Sequence, residues 1–225
     1  SETLWAHALA VTQNNDVAEN NLGIVLLQQG RVDEAIPRFE RAIQIRYQNA
    51  PAHDNLAKAF LRKGQLTDAM MESRKLLEIQ PENLEVRNIL GTVLIQQGRI
   101  REALEQWQET LRRDANNGNA KSNLAWVFAT CPEDSLRDGN RAVQLAEQAL
   151  QLSGGKNALV LRTLAAAYAE SGRFTDAVET ARRGAALANQ QGNSGLAAEL
   201  GSSIALYQSG RALRDPSLAT SPESR

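Results

Sequence analysis

The chain has 225 residues, with 25 Lys and Arg against 26 Asp and Glu and a formal net charge of −1, a balance that excludes a basic nucleic-acid surface or a polybasic membrane patch. Only 4% of the residues are aromatic, whereas Ala, Leu, Gln, Glu and Arg are abundant, which is the composition of an all-helical protein. The lone Cys131 has no disulfide partner, Cys131 with His7 and His53 makes no metal-ligand cluster, and no run nears the ~20 apolar residues that span a bilayer.

The first segment, residues 1–15, reads as the second half of a helix pair. Trp5 falls where Phe39 and Trp107 fall in later units, and Ala8 where Ala42 falls. It is a helix without its first partner, serving as an N-terminal cap or left over from a unit that lies upstream. With Ser1 in place of an initiator methionine, the reading expects a fragment of a longer chain.

From Asp16 onward the chain repeats itself. "NNLGIVLLQQGRVDEA" at 20–35 returns at 88–103 as "NILGTVLIQQGRIREA", and "DNLAKAFLRKGQLTDA" lies midway at 54–69, so the period is 34. A period in the range of ~20–50 residues marks a stacked-repeat architecture. Five units follow: 16–49, 50–83, 84–117, 118–157 with an insertion, and 158–188. The eighth position is always small (Gly23, Ala57, Gly91, Ala125, Ala165), and so is the twentieth (Ala35, Ala69, Ala103, Ala142, Ala177). Small residues there let two helices approach, and a larger side chain would overpack the contact. Leu22, Leu56, Leu90, Leu124 and Leu164 at the seventh position share a helix face with Leu26, Phe60, Leu94, Phe128 and Tyr168 at the eleventh. Gly30, Gly64, Gly98 and Gly172 end the first helix. Asp33, Asp68 and Asp176 suit either a cap or the positive dipole end of the second helix. In the fourth unit "PEDSLRDGNRA" lengthens the turn into a Pro-, Asp- and Gly-bearing loop. Residues 189–210 place Leu196, Leu200, Ile204 and Tyr207 at helical spacing, a capping helix for a stack. Residues 211–225 lack a periodic apolar face and are expected to be disordered.

These units resemble tetratricopeptide repeats, each a pair of antiparallel helices A and B. The resemblance implies an all-α, right-handed superhelical solenoid whose A helices line a concave groove through positions two, five, six, nine, twelve and thirteen. On that mapping the peptide-binding candidates are Asn20, Asn21, Ile24, Leu27 and Gln28 in the first unit, and Asn55, Lys58, Leu61 and Arg62 in the second. Asn88 and Ile95 represent the third unit, Asn123 and Trp126 the fourth. In relatives with an asparagine ladder at the sixth position, the amides grip a peptide backbone, because an amide both donates and accepts. Leu27, Leu61 and Ile95 form an apolar row that suits a partner's apolar side chains or helix, or else packs between A helices. Trp126 either faces the groove or supports the fourth-unit loop. The Lys and Arg set with which some related domains clamp a chaperone carboxylate is absent: Asn20, Ile24, Asn55, Glu85 and Ile89 stand in those places.

Neither a nucleophile with its base nor a phosphate loop is present, so no catalytic residue, metal or cofactor is assigned. The leading functional reading is a noncatalytic scaffold binding a protein or peptide in the groove. A second starts from "SETLW.HALAV...N" running into "NNLG", which resembles the junction in multi-spanning membrane glycosyltransferases. It implies a substrate-presenting tail whose catalytic, membrane-embedded part lies upstream. A third is a structural module in which the unpaired first helix stacks on another copy, giving a homodimer. A free-standing chain implies the cytoplasm, a tethered one the periplasmic side of the membrane.

Overall fold

The computed structural model describes residues 2–219. They form twelve α-helices and two short 3-10 turns, without a strand among the described residues. The protein is an all-α helical-repeat solenoid, and its contacts divide it into two compact units, 1–97 and 98–225.

The first unit holds α1 (Glu2–Val11) and the A helices α2 (Asp16–Gln28), α4 (Ala50–Arg62) and α6 (Leu84–Gln96), alternating with the B helices α3 (Val32–Ile45) and α5 (Leu66–Ile79). Each A helix opens on an asparagine whose side-chain oxygen accepts an amide of the first turn: Asn15 from Ala18, Asn49 from Ala52, Asn83 from Val86. Such a cap contributes ~1 kcal/mol. Glycine marks the other end. Gly30 and Gly64 take φ of +79° and +72°, and the next amide reaches back, Arg31 to the Leu26 carbonyl and Gln65 to that of Phe60, both at 2.9 Å. Only glycine holds this left-handed turn without strain. The B helices have no side-chain cap: Arg31 and Gln65 stand at their starts. Asp33 and Asp68 therefore act on the helix dipole, from within the first turn.

Packing explains the small positions. The Phe39 ring of α3 is fully buried and lies on Gly23 of α2, where an added Cβ would stand 2.5 Å from Phe39 Cε1. Leu22, Leu26, Leu27, Leu56 and Ala59 complete this core, and α1 covers one side of it with Trp5 and Leu9. Between α4 and α5 the unit buries polar groups. His53, fully buried, places Nδ1 2.6 Å from Glu72 Oε2 and Nε2 2.8 Å from the Tyr47 carbonyl, while Lys75 donates to Glu72 Oε1 at 2.8 Å. Burial pushes the Glu72 carboxyl up, but the hydrogen bonds from His53 and Lys75 outweigh it and hold the group below its ordinary value.

The second unit runs through α7 (Ile100–Arg113), α8 (Gly118–Thr130), α9 (Gly139–Leu152), α10 (Ala158–Glu170), α11 (Phe174–Gln190) and α12 (Ser194–Gln208). Asn117, Asn157 and Asn193 cap α8, α10 and α12 as their counterparts do in the first unit. The core is alanine-rich, with Ala165, Ala169, Ala177, Ala181 and Ala188 packed against Leu196, Leu200 and Tyr207. The inserted loop is pinned by Arg137, which donates to the Cys131 and Pro132 carbonyls and, at 2.9 Å, to Glu170 Oε1.

The expectation of disorder after residue 210 fails over its described part. Residues 211–219 pack onto the second unit, Leu218 is 1% exposed, and a 3-10 turn forms at Pro216–Leu218. The segment has no periodic apolar face, but a stretch docked on other helices needs only a few anchors, not a face of its own. Residues 220–225 of that expectation lie outside the described residues.

Candidate functional site

The candidate residues lie on the A helices, and the two units treat them differently. In the first unit Asn20, at the fifth position, is buried and accepts from Asn55 Nδ2 at 3.0 Å, so one rung of the expected sixth-position ladder, Asn55, is bonded across α2 and α4 to the residue beside the rung Asn21. Leu27 is 7% exposed and belongs to the core, a correction to the apolar row expected to face the groove: its position on α2 is filled from α4 by Leu56 and Ala59. Asn88 is buried too, so neither Leu27 nor Asn88 offers its side chain to a partner. Arg62 donates to the Leu27 carbonyl at 2.6 Å, satisfying the C-terminal end of α2 with a cation, as its dipole favours. Lys58 pairs with Asp54 at 2.7 Å one turn away. What remains accessible is Asn21, Ile24, Asn55, Leu61 and Ile95, all half-buried, with Gln28 exposed at the end of α2. This is a mixed surface of amides and aliphatic side chains, its cations already partnered.

In the second unit Asn123 is half-buried, and Trp126 of α8 is engaged on two sides. The Arg162 guanidinium lies over its ring, 4.2 Å from the centroid, and its indole N–H donates to Asp215 Oδ2 at 2.8 Å. The Asp215 backbone N–H in turn donates to the Thr130 carbonyl at 2.9 Å, closing the end of α8. Arg214 donates to Glu170 Oε2 at 2.6 Å. Leu218 is buried, and its carbonyl accepts from the Cys131 thiol at 3.8 Å. Burial pushes that thiol's pKa up and keeps it protonated. The expected alternatives for Trp126 are groove contact and loop support; its observed partners are Arg162 and the tail.

Trp126 and Thr130 are the ninth and thirteenth positions of their A helix, and Glu170 is the thirteenth of the next. Asp215 and Ala219 on either side of the 3-10 turn have extended backbone. The A-helix surface of this unit therefore already carries a peptide segment, the chain's own. Asp215 and Leu218 were not legible as site residues, because neither recurs with the period and the Trp126–Asp215 contact spans 89 residues.

Alternating A and B helices, asparagine caps and small contact positions define a helical-repeat scaffold of the protein-interaction class. The chain belongs to the tetratricopeptide-repeat family: two models of that repeat match residues 14–82 and 60–127, together just over half its length. Among solved structures it is similar to YrrB, described as a tetratricopeptide-repeat protein with an unusual peptide-binding site, at 17% identity and a TM-score of 0.67 over 90% of this chain and 100% of that one. It is similar also to MamA, at 17% identity and 0.65 over 79% and 93%. A thermophilic repeat protein of Thermus thermophilus, TTC0263, matches at 23% and 0.64 over 85% and 100%. Likeness at these identities concerns the fold alone. No curated protein matches the chain closely enough to count as a relative. Among the described residues no group of His, Cys, Asp and Glu is placed to hold a metal ion, and no helix is long and apolar enough to cross a membrane.

Proposed function

We propose that the chain is a noncatalytic scaffold that binds extended segments of partner proteins on its A-helix surfaces. The observation that carries this reading is the docking of residues 213–218 on α8 and α10. An acid bonds the Trp126 indole, a backbone amide bonds the Thr130 carbonyl, and a leucine three residues on is buried. A backbone hydrogen bond with one polar and one apolar anchor is how groove recognition of extended peptides divides its work. The second unit is then suited to segments of the form Asp-x-x-Leu, with its own tail as the resident occupant. On the first unit Asn21, Ile24, Gln28, Asn55, Leu61 and Ile95 form the surface left for a partner. The YrrB comparison supports the reading, since that relative in fold is described as binding peptide.

The test displaces the tail. In a chain carrying Asp215→Ala and Leu218→Asp, Trp126 is uncovered, and a synthetic peptide of residues 213–219 added in solution binds there, read by tryptophan fluorescence. The intact chain takes up the same peptide at least about tenfold more weakly, because its tethered tail competes at high effective concentration. Trp126→Ala in the released background removes binding. A released-tail chain that keeps its helical circular dichroism and takes no peptide would sink the proposal.

A further inference from the structure

Resting on the reading of the A-helix surface as a peptide site, we infer that the second unit selects its segment by charge order. It takes a base followed directly by an acid, in the form Arg-Asp-x-x-Leu, and the inserted loop of the fourth repeat supports the residue that reads the base. Arg214 donates to Glu170 Oε2 at 2.6 Å, and Asp215 accepts the Trp126 indole N–H at 2.8 Å. Adjacent residues of the segment thus meet an acid at the end of α10 and a donor on α8.

Glu170 is out of keeping with its place. It is the thirteenth residue of its repeat and the last of α10, where the helix dipole disfavours an anion. Gln28, Arg62, Gln96 and Thr130 hold that position in the other repeats. The Glu170 side chain is only 14% exposed, so it needs cationic partners. Arg137 is one, donating from Nε to Oε1 at 2.9 Å, and Oε2 is left for the segment. Arg137 belongs to the stretch that lengthens the fourth repeat. Its other nitrogens are tied into that loop, Nη1 to the Cys131 and Pro132 carbonyls and Nη2 to the Asp134 carboxylate. A guanidinium held this way has little freedom, and it fixes the carboxylate it bonds. Arg137 is therefore a positioning residue for Glu170, and the insertion has a part in recognition.

The acid is specified by both of its oxygens. Asp215 Oδ1 accepts the Ser217 backbone N–H at 3.0 Å and the Ser217 hydroxyl at 2.7 Å, capping the segment's own 3-10 turn, while Oδ2 accepts the indole. Pro216 opens that turn with its fixed φ. An amide in place of the acid would set a donor against an N–H. Exchanging the base and the acid is worse, since an acid would then face Glu170 and a cation the indole donor. Leu218, 1% exposed, fixes the register three residues on. Because base and acid sum to zero charge, their order and not their total is what the surface reads.

The experiment uses the released-tail chain, Asp215→Ala with Leu218→Asp, to which Arg214→Ala is added so that the displaced tail offers no arginine. Three synthetic peptides are titrated against it by tryptophan fluorescence: residues 213–219, the same with residues 214 and 215 exchanged, and the same with Arg214→Ala. The exchanged peptide has the composition and charge of the original and is expected to bind at least about tenfold more weakly. The Arg214→Ala peptide is expected to lose about fivefold, a modest factor because the Arg214–Glu170 pair is partly open to solvent. Glu170→Gln in the receptor shrinks that fivefold loss to about twofold or less, and Arg137→Ala produces the same pattern, a coupling that a merely structural role would not show. The exchanged-peptide comparison needs no receptor variant beyond the released chain, so it decides the matter where Glu170→Gln or Arg137→Ala fails to fold. Original and exchanged peptides that bind equally overturn the inference and leave the scaffold reading standing, as does an Arg214→Ala loss that persists in folded Glu170→Gln. A released chain that takes none of the three peptides ends both.

Discussion

The A-helix surfaces of the two units are built from the same repeat positions and put to different uses. In the first, the polar side chains bond along and between neighbouring A helices, Asn55 to Asn20, Arg62 to the Leu27 carbonyl and Lys58 to Asp54, and the aliphatic side chains between them stay half-open. In the second, Trp126 at the ninth position and the carbonyl of Thr130 at the thirteenth hold the chain's own residue 215. The difference lies in one kind of residue. Ile24, Lys58 and Thr92 occupy the ninth position in the first unit, and none combines a broad apolar face with a directed donor as tryptophan does. Position decides where a surface lies; side-chain chemistry decides what it holds.

The comparison breaks most readily at Trp126. Trp126→Ala removes the ring under Arg162 and the donor to Asp215, and is expected to cost about 3 kcal/mol in urea denaturation, the low end for a tryptophan truncation because the ring is half-buried. Loss of the same size from any single residue of the first unit's open surface would erase the distinction. Leu218→Ala is next, at about 2 kcal/mol. Its cost is capped by the free energy of docking the tail, so a smaller value measures that docking directly.

The first unit's counterpart is internal. Glu72→Gln is expected to cost about 1.5 kcal/mol at neutral pH, as loss of a charged hydrogen-bond acceptor. Because the folded state holds the Glu72 carboxyl below its ordinary value of 4.5, its contribution is complete above the unfolded carboxylate range and is lost as pH falls through the folded value. Wild type and Glu72→Gln should therefore differ in melting temperature at pH 7 and converge in acid. Asn55→Ala has the smallest effect, about 1 kcal/mol, and leaves tail docking in the second unit unchanged.

How much of this was legible follows from which contacts recur. Gly23, Leu22 and Ala35 could be read because each meets neighbours that recur one period away, so five copies spell out one packing problem, and Gly30 because the left-handed turn it makes returns at Gly64, Gly98 and Gly172. The burial of Leu27 was harder, since the twelfth position borders both the groove and the next A helix, and only the bulk supplied by Leu56 and Ala59 decides between them. The capping asparagines do recur, at 15, 49, 83 and 117, but glycine is the more conspicuous punctuation. The tail was illegible in principle: Asp215 and Leu218 occur once, and their partners are remote in sequence.

Amide hydrogen exchange at Asp215 in the intact chain tests the central claim most directly, because that amide is bonded only if the A-helix surface of the second unit holds the tail. The account predicts exchange slowed by about a hundredfold or more relative to the free peptide, with the slowing lost in Trp126→Ala. Exchange at the free-peptide rate in the wild type would contradict it.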